Sequence, residues 1–281
     1  MHSRPVLVTG CSSGIGRCLA DGLQQRGYRV FATARKPYDV AALADAGFEA
    51  LELDLASSAS IRRAMGEVLV RTDGVVYALI NNGAYGQPGA VEDLTRDVLR
   101  TQFETNFFGT HELTTLAMPA MRATGEGRIV QISSVLGFAA MAYRGAYNAS
   151  KFALEGLSDT LRLELRGTNI YVSVVEPGPI RSRFRENALA AFRAHIDIEH
   201  SAHRLLYESV LRRLEGKKGR MPFTLGPEAV LAKVVHALEV PRPRARYYVT
   251  KPTYVFAWCK RLLPIRWLDT MLYHAGDKAE D

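Results

Sequence analysis

The chain of 281 residues has only three cysteines, Cys11, Cys18 and Cys259, too few for a disulfide framework and without metal-like spacing. That scarcity excludes a disulfide-stapled secreted scaffold and a zinc module, and it fits a reducing compartment. MHSRPVLVTG passes directly into a strand pattern, so no secretory leader and a cytoplasmic location are expected. Nowhere do about 20 mainly apolar residues run without charge, as a spanning helix requires. The greasiest stretch, Pro252 to Leu272, is interrupted by Lys260, Arg261, Arg266 and Asp269 and broken at Pro264. As an amphipathic extension it has three readings: peripheral contact with a membrane, closure over a substrate, or packing on another subunit. Internal repeats and low-complexity segments are absent as well.

Charge of one sign is not concentrated either. Lys and Arg number 36 against 29 Asp and Glu, a formal net charge of +7 with a pI near 9.4. The basic clusters at residues 216–220 and 241–246 lack the interleaved aromatics of a stacking platform, so no nucleic-acid partner is expected. Solvated surface charge accounts for them, and a positive field also suits an anionic cofactor.

What is present is an alternation. Apolar runs at Pro5 to Thr9, Arg29 to Thr33, Glu49 to Leu53, Val75 to Ile80, Arg128 to Ser133 and Ile170 to Val175 read as strands. Helical spacing appears at Ile15 to Gln25, Val40 to Ala46, Ser57 to Val70, Asp97 to Arg122 and Tyr147 to Leu165. Strand and helix at this interval predict an α/β fold: a doubly wound, Rossmann-like parallel sheet with helices on both faces, in a single domain. The expected division is a catalytic region over residues 1–250, with residues 181–221 as a substrate lid, and an extension over 251–281. Ligands in such sheets bind beyond the carboxyl ends of the strands. Gly10 to Gly16, Arg35, Asp54, Asn82, Ser134 and Pro177 each follow one.

TGCSSGIG, Thr9 to Gly16, stands between a strand and a helix, where glycines let backbone approach a pyrophosphate and free helix amides receive it. After the second strand comes Arg35 where an NAD-binding unit usually carries a carboxylate. A nearby arginine accommodates a 2′-phosphate, which predicts NADP(H); the bland reading is an arginine facing solvent. Asp54 has two readings, an acceptor for the adenine amino group and a turn cap. Tyr147 and Lys151 lie one helical turn apart. Tyr247 and Lys251 share that spacing, but they follow PRPRAR and end at Pro252, the context of a strand end.

TGCSSGIG, Asp54, NNGA (Asn81 to Ala84), Asn106, ISS (Ile132 to Ser134), YNASK (Tyr147 to Lys151) and PGPI (Pro177 to Ile180) together resemble the short-chain dehydrogenase/reductase family from about residue 5 to 182. The opening motif and lid length resemble its branch of 17β-hydroxysteroid and retinol dehydrogenases. NNGA departs slightly from the family's NNAG. The resemblance implies seven parallel strands, a nicotinamide cofactor and an Asn-Ser-Tyr-Lys tetrad at Asn106, Ser134, Tyr147 and Lys151. It also implies a homodimer or homotetramer built on the helices starting near Asp97 and Tyr147. The expected cofactor lining is Gly10, Ser12, Ser13, Gly14, Ile15, Gly16, Arg35, Asp54, Leu55, Asn82, Gly83, Tyr147, Lys151, Pro177, Gly178 and Ile180. No metal is expected.

Alcohol–carbonyl interconversion by hydride transfer needs a group that takes or gives the oxygen's proton. Tyr147 fills that role in this reading, made acidic by the Lys151 ammonium and an oxidised nicotinamide. Ser134 donates to the carbonyl oxygen; Ser133 points to the opposite face of the strand. Asn106 resembles the residue that holds a water on the proton path to Lys151, and otherwise reads as a helix-packing amide. Leu136, Phe138, Met141 and Tyr143 predict a pocket for a bulky apolar substrate. The rival reading from another class is a catalytically idle NADP(H)-sensing protein on the same fold.

Overall fold

The computed structural model describes residues 4–215 and 223–277; the basic cluster at 216–220 lies outside them. Seven parallel strands form one sheet: β1 (Pro5–Val8), β2 (Arg29–Ala34), β3 (Glu49–Glu52), β4 (Ala78–Asn81), β5 (Gly127–Ile132), β6 (Ile170–Glu176) and β7 (Arg246–Tyr248). Their spatial order is β3-β2-β1-β4-β5-β6-β7. Every residue of β1, β4 and β5 is buried, as expected of strands covered on both faces.

The helices segregate to the two faces. On one side α1 (Gly14–Gln25), α2 (Pro37–Asp45) and α9 (Glu228–Glu239) bury Leu19, Leu23, Leu43 and Val234 against Val6, Val8 and Ile80. On the other, α3 (Ser58–Arg71) and the helix before β5 bury Ile61, Met65, Leu113 and Met121 against Leu7, Phe31 and Leu79. Ser57 caps α3, accepting a hydrogen bond from the Ser60 amide. Because the order reverses between β1 and β4, a crevice opens at their carboxyl ends.

The helix expected as one piece over Asp97 to Arg122 is three. α4 (Arg96–Phe103) and α5 (Gly109–Thr124) are joined by a π turn, Glu104–Phe108. One extra residue in the turn re-aims Asn106 into the interior, where it is 1% exposed; π bulges of this kind recur at functional sites. Helix α6 (Gly145–Glu164) carries Tyr147 and Lys151, both buried.

The lid region forms α7 (Phe184–His195) and α8 (Arg204–Glu215). Phe192, Ile196 and Tyr207 pack on Ala90, Leu94, Val98 and Ala146. Polar contacts pin the lid to the segment after β4: Tyr207 donates to Asp93 and accepts from the Ala90 amide at 2.7 Å, and His195 meets Gln87 at 2.7 Å. The C-terminal stretch folds as α10 (Lys251–Leu262) and α11 (Ile265–Asp277), broken at Pro264 as expected. Tyr247 is buried in β7 and Lys251 is exposed at the start of α10, so this second Tyr/Lys spacing makes no pair.

Candidate active site

At the carboxyl end of β1 the chain turns at Gly10, whose φ of +72° is left-handed. A Cβ on Gly16 would stand 2.1 Å from the Gly10 oxygen and 2.6 Å from Asn82 Nδ2, so only glycine fits there. Asn82 ties the turn to β4, its amide nitrogen donating to the Thr9 oxygen at 2.9 Å and the Gly10 oxygen at 3.2 Å. The Gly83 amide donates to Thr9 Oγ1 at 2.8 Å.

Helix α1 starts behind Ser13 with no side-chain cap and no acid in its first turn. Its first amides and positive dipole end therefore face the crevice free, the arrangement an anionic phosphate group requires. Arg35, at the end of β2, is exposed and has no carboxylate partner among the described residues. Asp54 uses Oδ1 to accept from the Ala56 amide at 3.0 Å, which supports the turn-cap reading and leaves its other oxygen over. Leu55 is buried, and Ser12 is exposed on the turn. Across the crevice, Pro177 accepts from the Val135 amide at 2.8 Å, Gly178 leaves no room for a side chain beside Thr250, and Ile180 bridges to Leu225. A dinucleotide fits this frame: the glycine turn and α1 would hold its phosphates and Arg35 its adenosine end.

Ser134, Tyr147 and Lys151 converge at the same end of the sheet. Ser134 Oγ accepts from the Leu136 amide at 3.1 Å, which fixes the hydroxyl at the mouth of β5. Burial pushes the Tyr147 phenol up to about 12, opposed by its hydrogen bond with Ser134 and by the Arg144 charge. Lys151 Nζ donates to the Ile132 oxygen at 2.8 Å and lies 5.8 Å from the centre of the Tyr147 ring. Burial lowers its pKa to about 8, with the Glu155 charge opposing. Both groups are desolvated, and removal from water favours the neutral form of each. Ser133 turns away from Tyr147, toward Glu155, as strand alternation requires.

Asn106 binds the chain after β4, accepting from the Tyr85 amide at 3.1 Å and donating to the Tyr85 oxygen at 2.9 Å and Ser150 Oγ at 3.2 Å. It thus stands beside the Tyr147–Lys151 turn, with its amide engaged by protein groups.

The four substrate-loop residues separate. Leu136, Phe138 and Met141 join Tyr147 in an apolar cluster completed by Phe256, Leu263, Leu268, Met271 and Leu272 from α10 and α11. Tyr143 turns to the lid and packs edge-on against His203 at 5.5 Å. From the lid, Phe184 stands edge-on to the Tyr147 ring at 5.3 Å and presses on Gly86. Phe184, Phe256 and Leu268 escaped the sequence reading as lining residues, because nothing local in a helix shows which distant loop its apolar face will meet.

A second unforeseen group adjoins the site. Arg246 of β7 binds Glu155, Glu176 at 2.6 Å and Asp159 at 2.6 Å. Burial, and then the Glu155 charge, raise Glu176 to about 8, and burial raises Glu155 as well. The folded state therefore holds a proton that the unfolded chain releases near 4.5, and stability falls as pH rises from about 4.5 to about 8. Glu176→Gln keeps an acceptor for Arg246 without the charge. Its expected effect in thermal scans is a flatter pH dependence and a gain of about 2–4 °C in Tm at pH 8.5, the shift that about 1 kcal/mol produces at this size.

Comparison with known proteins agrees with this geometry. The chain is 44% identical over 269 residues to the uncharacterized oxidoreductase YbbO of Escherichia coli K12, covering 96% of this chain and 94% of that protein. It is 35% identical over 263 residues to retinol dehydrogenase 8 of Bos taurus, covering 87% and 82%. A single-site variant of actinorhodin polyketide ketoreductase, solved with NADPH, matches at TM-score 0.72 and 29% identity over 88% of this chain and 95% of that one. A family model described as short chain dehydrogenase matches residues 4–193, and this match, with the full-length relatives, shows that the chain belongs to the short-chain dehydrogenase/reductase family of oxidoreductases.

Proposed function

We propose that the protein reduces a ketone or aldehyde on a bulky apolar molecule with NADPH, Tyr147 supplying the proton. The observation that carries this reading is the position of the Tyr147 hydroxyl. It sits beside Ser134 at the floor of an apolar cluster formed by the loop after β5 and by α10 and α11. The coenzyme, when bound, supplies the hydride. Ser134 donates to the substrate oxygen and Tyr147 delivers its proton there. At neutral pH the phenol carries its proton, as an acid for the carbonyl oxygen must. Lys151 holds the nicotinamide ribose and replenishes the proton, and Asn106 positions that turn through Ser150 and Tyr85. The names retinol dehydrogenase and polyketide ketoreductase among the similar proteins support a large, apolar substrate.

A panel of apolar and polar aldehydes, ketones and alcohols, followed by nicotinamide absorbance with both coenzymes, tests this. The expected order is long apolar carbonyls with NADPH first, and equal rates for short polar substrates would refute the pocket assignment.

Self-association fits the π turn and α6. Phe103, Phe107 and Phe108 form a group of edge-on and tilted rings with centroids 5.4–6.3 Å apart, and Phe108, Phe152 and Leu163 are exposed at 48%, 40% and 57%. Such a surface suits a homodimer or homotetramer. Phe108→Asp is expected to shift the sedimentation coefficient to the monomer's; an unchanged oligomer would place the interface elsewhere. The reading is completed by a cytoplasmic protein whose α10–α11 outer face makes peripheral membrane contact. No helix among the described residues is long and apolar enough to cross a membrane.

A further inference from the structure

The two C-terminal helices have unlike sides. Their inner side closes the apolar cluster around Tyr147, whereas the outer side leaves Val255, Trp258, Leu262, Ile265, Trp267 and Tyr273 exposed at 54–72%. Val255, Trp258 and Leu262 follow at i, i+3 and i+7, a single stripe along α10. Aromatic and aliphatic residues with flanking Lys and Arg are the composition of a helix lying in a bilayer interface.

Beside Trp258 an open depression of about 280 Å³ lies between β7, α9 and α10. It is lined by Lys233, Arg244, Arg246 and Arg261 together with tyrosines and Trp258. Arg246 is committed to its three carboxylates, but Lys233, Arg244 and Arg261 have no carboxylate partner among the described residues. Lys233 is half-buried and Arg244 and Arg261 are exposed, so together they set up a positive field at one depression, which an anion complements.

We infer that this depression binds the phosphate of an anionic phospholipid and so seats the α10–α11 outer face on a negatively charged bilayer, a site that rests on the membrane contact proposed above. Charge selects this occupant over a second copy of the chain. From Val240 to Asp277 the sequence has seven Lys and Arg; Arg246 is committed to its carboxylates and Lys260 donates to the Phe138 oxygen, which leaves Arg242, Arg244, Lys251, Arg261 and Arg266 against Asp269 and Asp277. Two such surfaces facing each other would set cations against cations, whereas an anionic leaflet complements them. The aromatic rim beside the cations suits the lipid's glycerol and upper acyl carbons, and an apolar substrate dissolved in that leaflet would enter beside Leu136, Phe138 and Met141.

The chain contains two tryptophans, Trp258 and Trp267, both on this outer face, so intrinsic fluorescence reads this surface alone. The full chain is titrated with vesicles of phosphatidylcholine, with and without phosphatidylglycerol, and in parallel with inorganic phosphate. The expected result is a blue shift and co-sedimentation with the anionic vesicles. The triple variant Lys233→Gln, Arg244→Gln, Arg261→Gln should bind them about a hundredfold more weakly while reducing a small soluble aldehyde at the native rate. Equal binding to both vesicle types, or an unaffected triple variant, would overturn the headgroup site and leave the membrane contact standing. No binding to either would overturn both. Saturation by inorganic phosphate without lipid preference would reassign the depression to a soluble anion, and a blue shift that depends on protein concentration without vesicles would give the face to a second copy.

Discussion

Tyr147→Phe is expected to lower kcat/KM for carbonyl reduction by about three orders of magnitude while leaving the dissociation constant for NADPH unchanged. Positioned general acids contribute about 10²–10⁴-fold, and in the proposed reaction Tyr147 is the group that gives its proton to the substrate oxygen. The ring itself is buried at 8% exposure and packs on Phe184, so the phenylalanine keeps the same shape and contacts. Stopped-flow reduction and a coenzyme fluorescence titration separate the two quantities. Retained turnover would remove Tyr147 from the chemistry and favour a coenzyme-sensing protein. The native enzyme's pH profile supplies a second check. The Tyr147 proton stays in place across the neutral range, but the Lys151 charge is lost as pH rises through about 8. Reductive kcat/KM should therefore decline on the alkaline side of that value, and Lys151→Arg should move the decline upward.

Arg35→Asp is expected to cut kcat/KM with NADPH about a hundredfold and to raise that with NADH, reversing the preference. A charge-assisted pair with phosphate is worth about 1.5–3 kcal/mol, and the aspartate adds repulsion toward the 2′-phosphate while offering acceptors to ribose hydroxyls. Arg35 is exposed at the end of β2 and without a carboxylate partner among the described residues, so its replacement leaves the core intact. An unchanged ratio of the two efficiencies would mean that Arg35 faces only water.

Much of this architecture could be read from residue order because its causes are local. Continuous apolar runs mark strands covered on both faces, and the glycine spacing in Thr9 to Gly16 has meaning only at a tight turn before a helix. The Tyr147–Lys151 pair follows from helical periodicity, and the strand context of Tyr247 separates the false pair from the true one. The break at Pro264 and the cap at Ser57 are of the same kind. By contrast, the π turn at Glu104–Phe108 was invisible, since it spans five residues, too few for a change of helical period to register.

Sequence alone therefore determined the doubly wound sheet, the grouping of the informative residues beyond the strands' carboxyl ends, and the placement of Ser134 after a strand and of Tyr147 and Lys151 near a helix start. Only the tertiary structure decided how far Tyr147 and Lys151 are removed from water, because burial comes from segments distant in the chain. It also decided that α10 and α11 roof the Tyr147 cluster, and that Arg246 gathers carboxylates from positions 70, 87 and 91 residues away in the chain. Desolvation and long-range ion pairing depend on what surrounds a group in space, and a linear order of residues carries that information only after the sheet has brought its distant segments together.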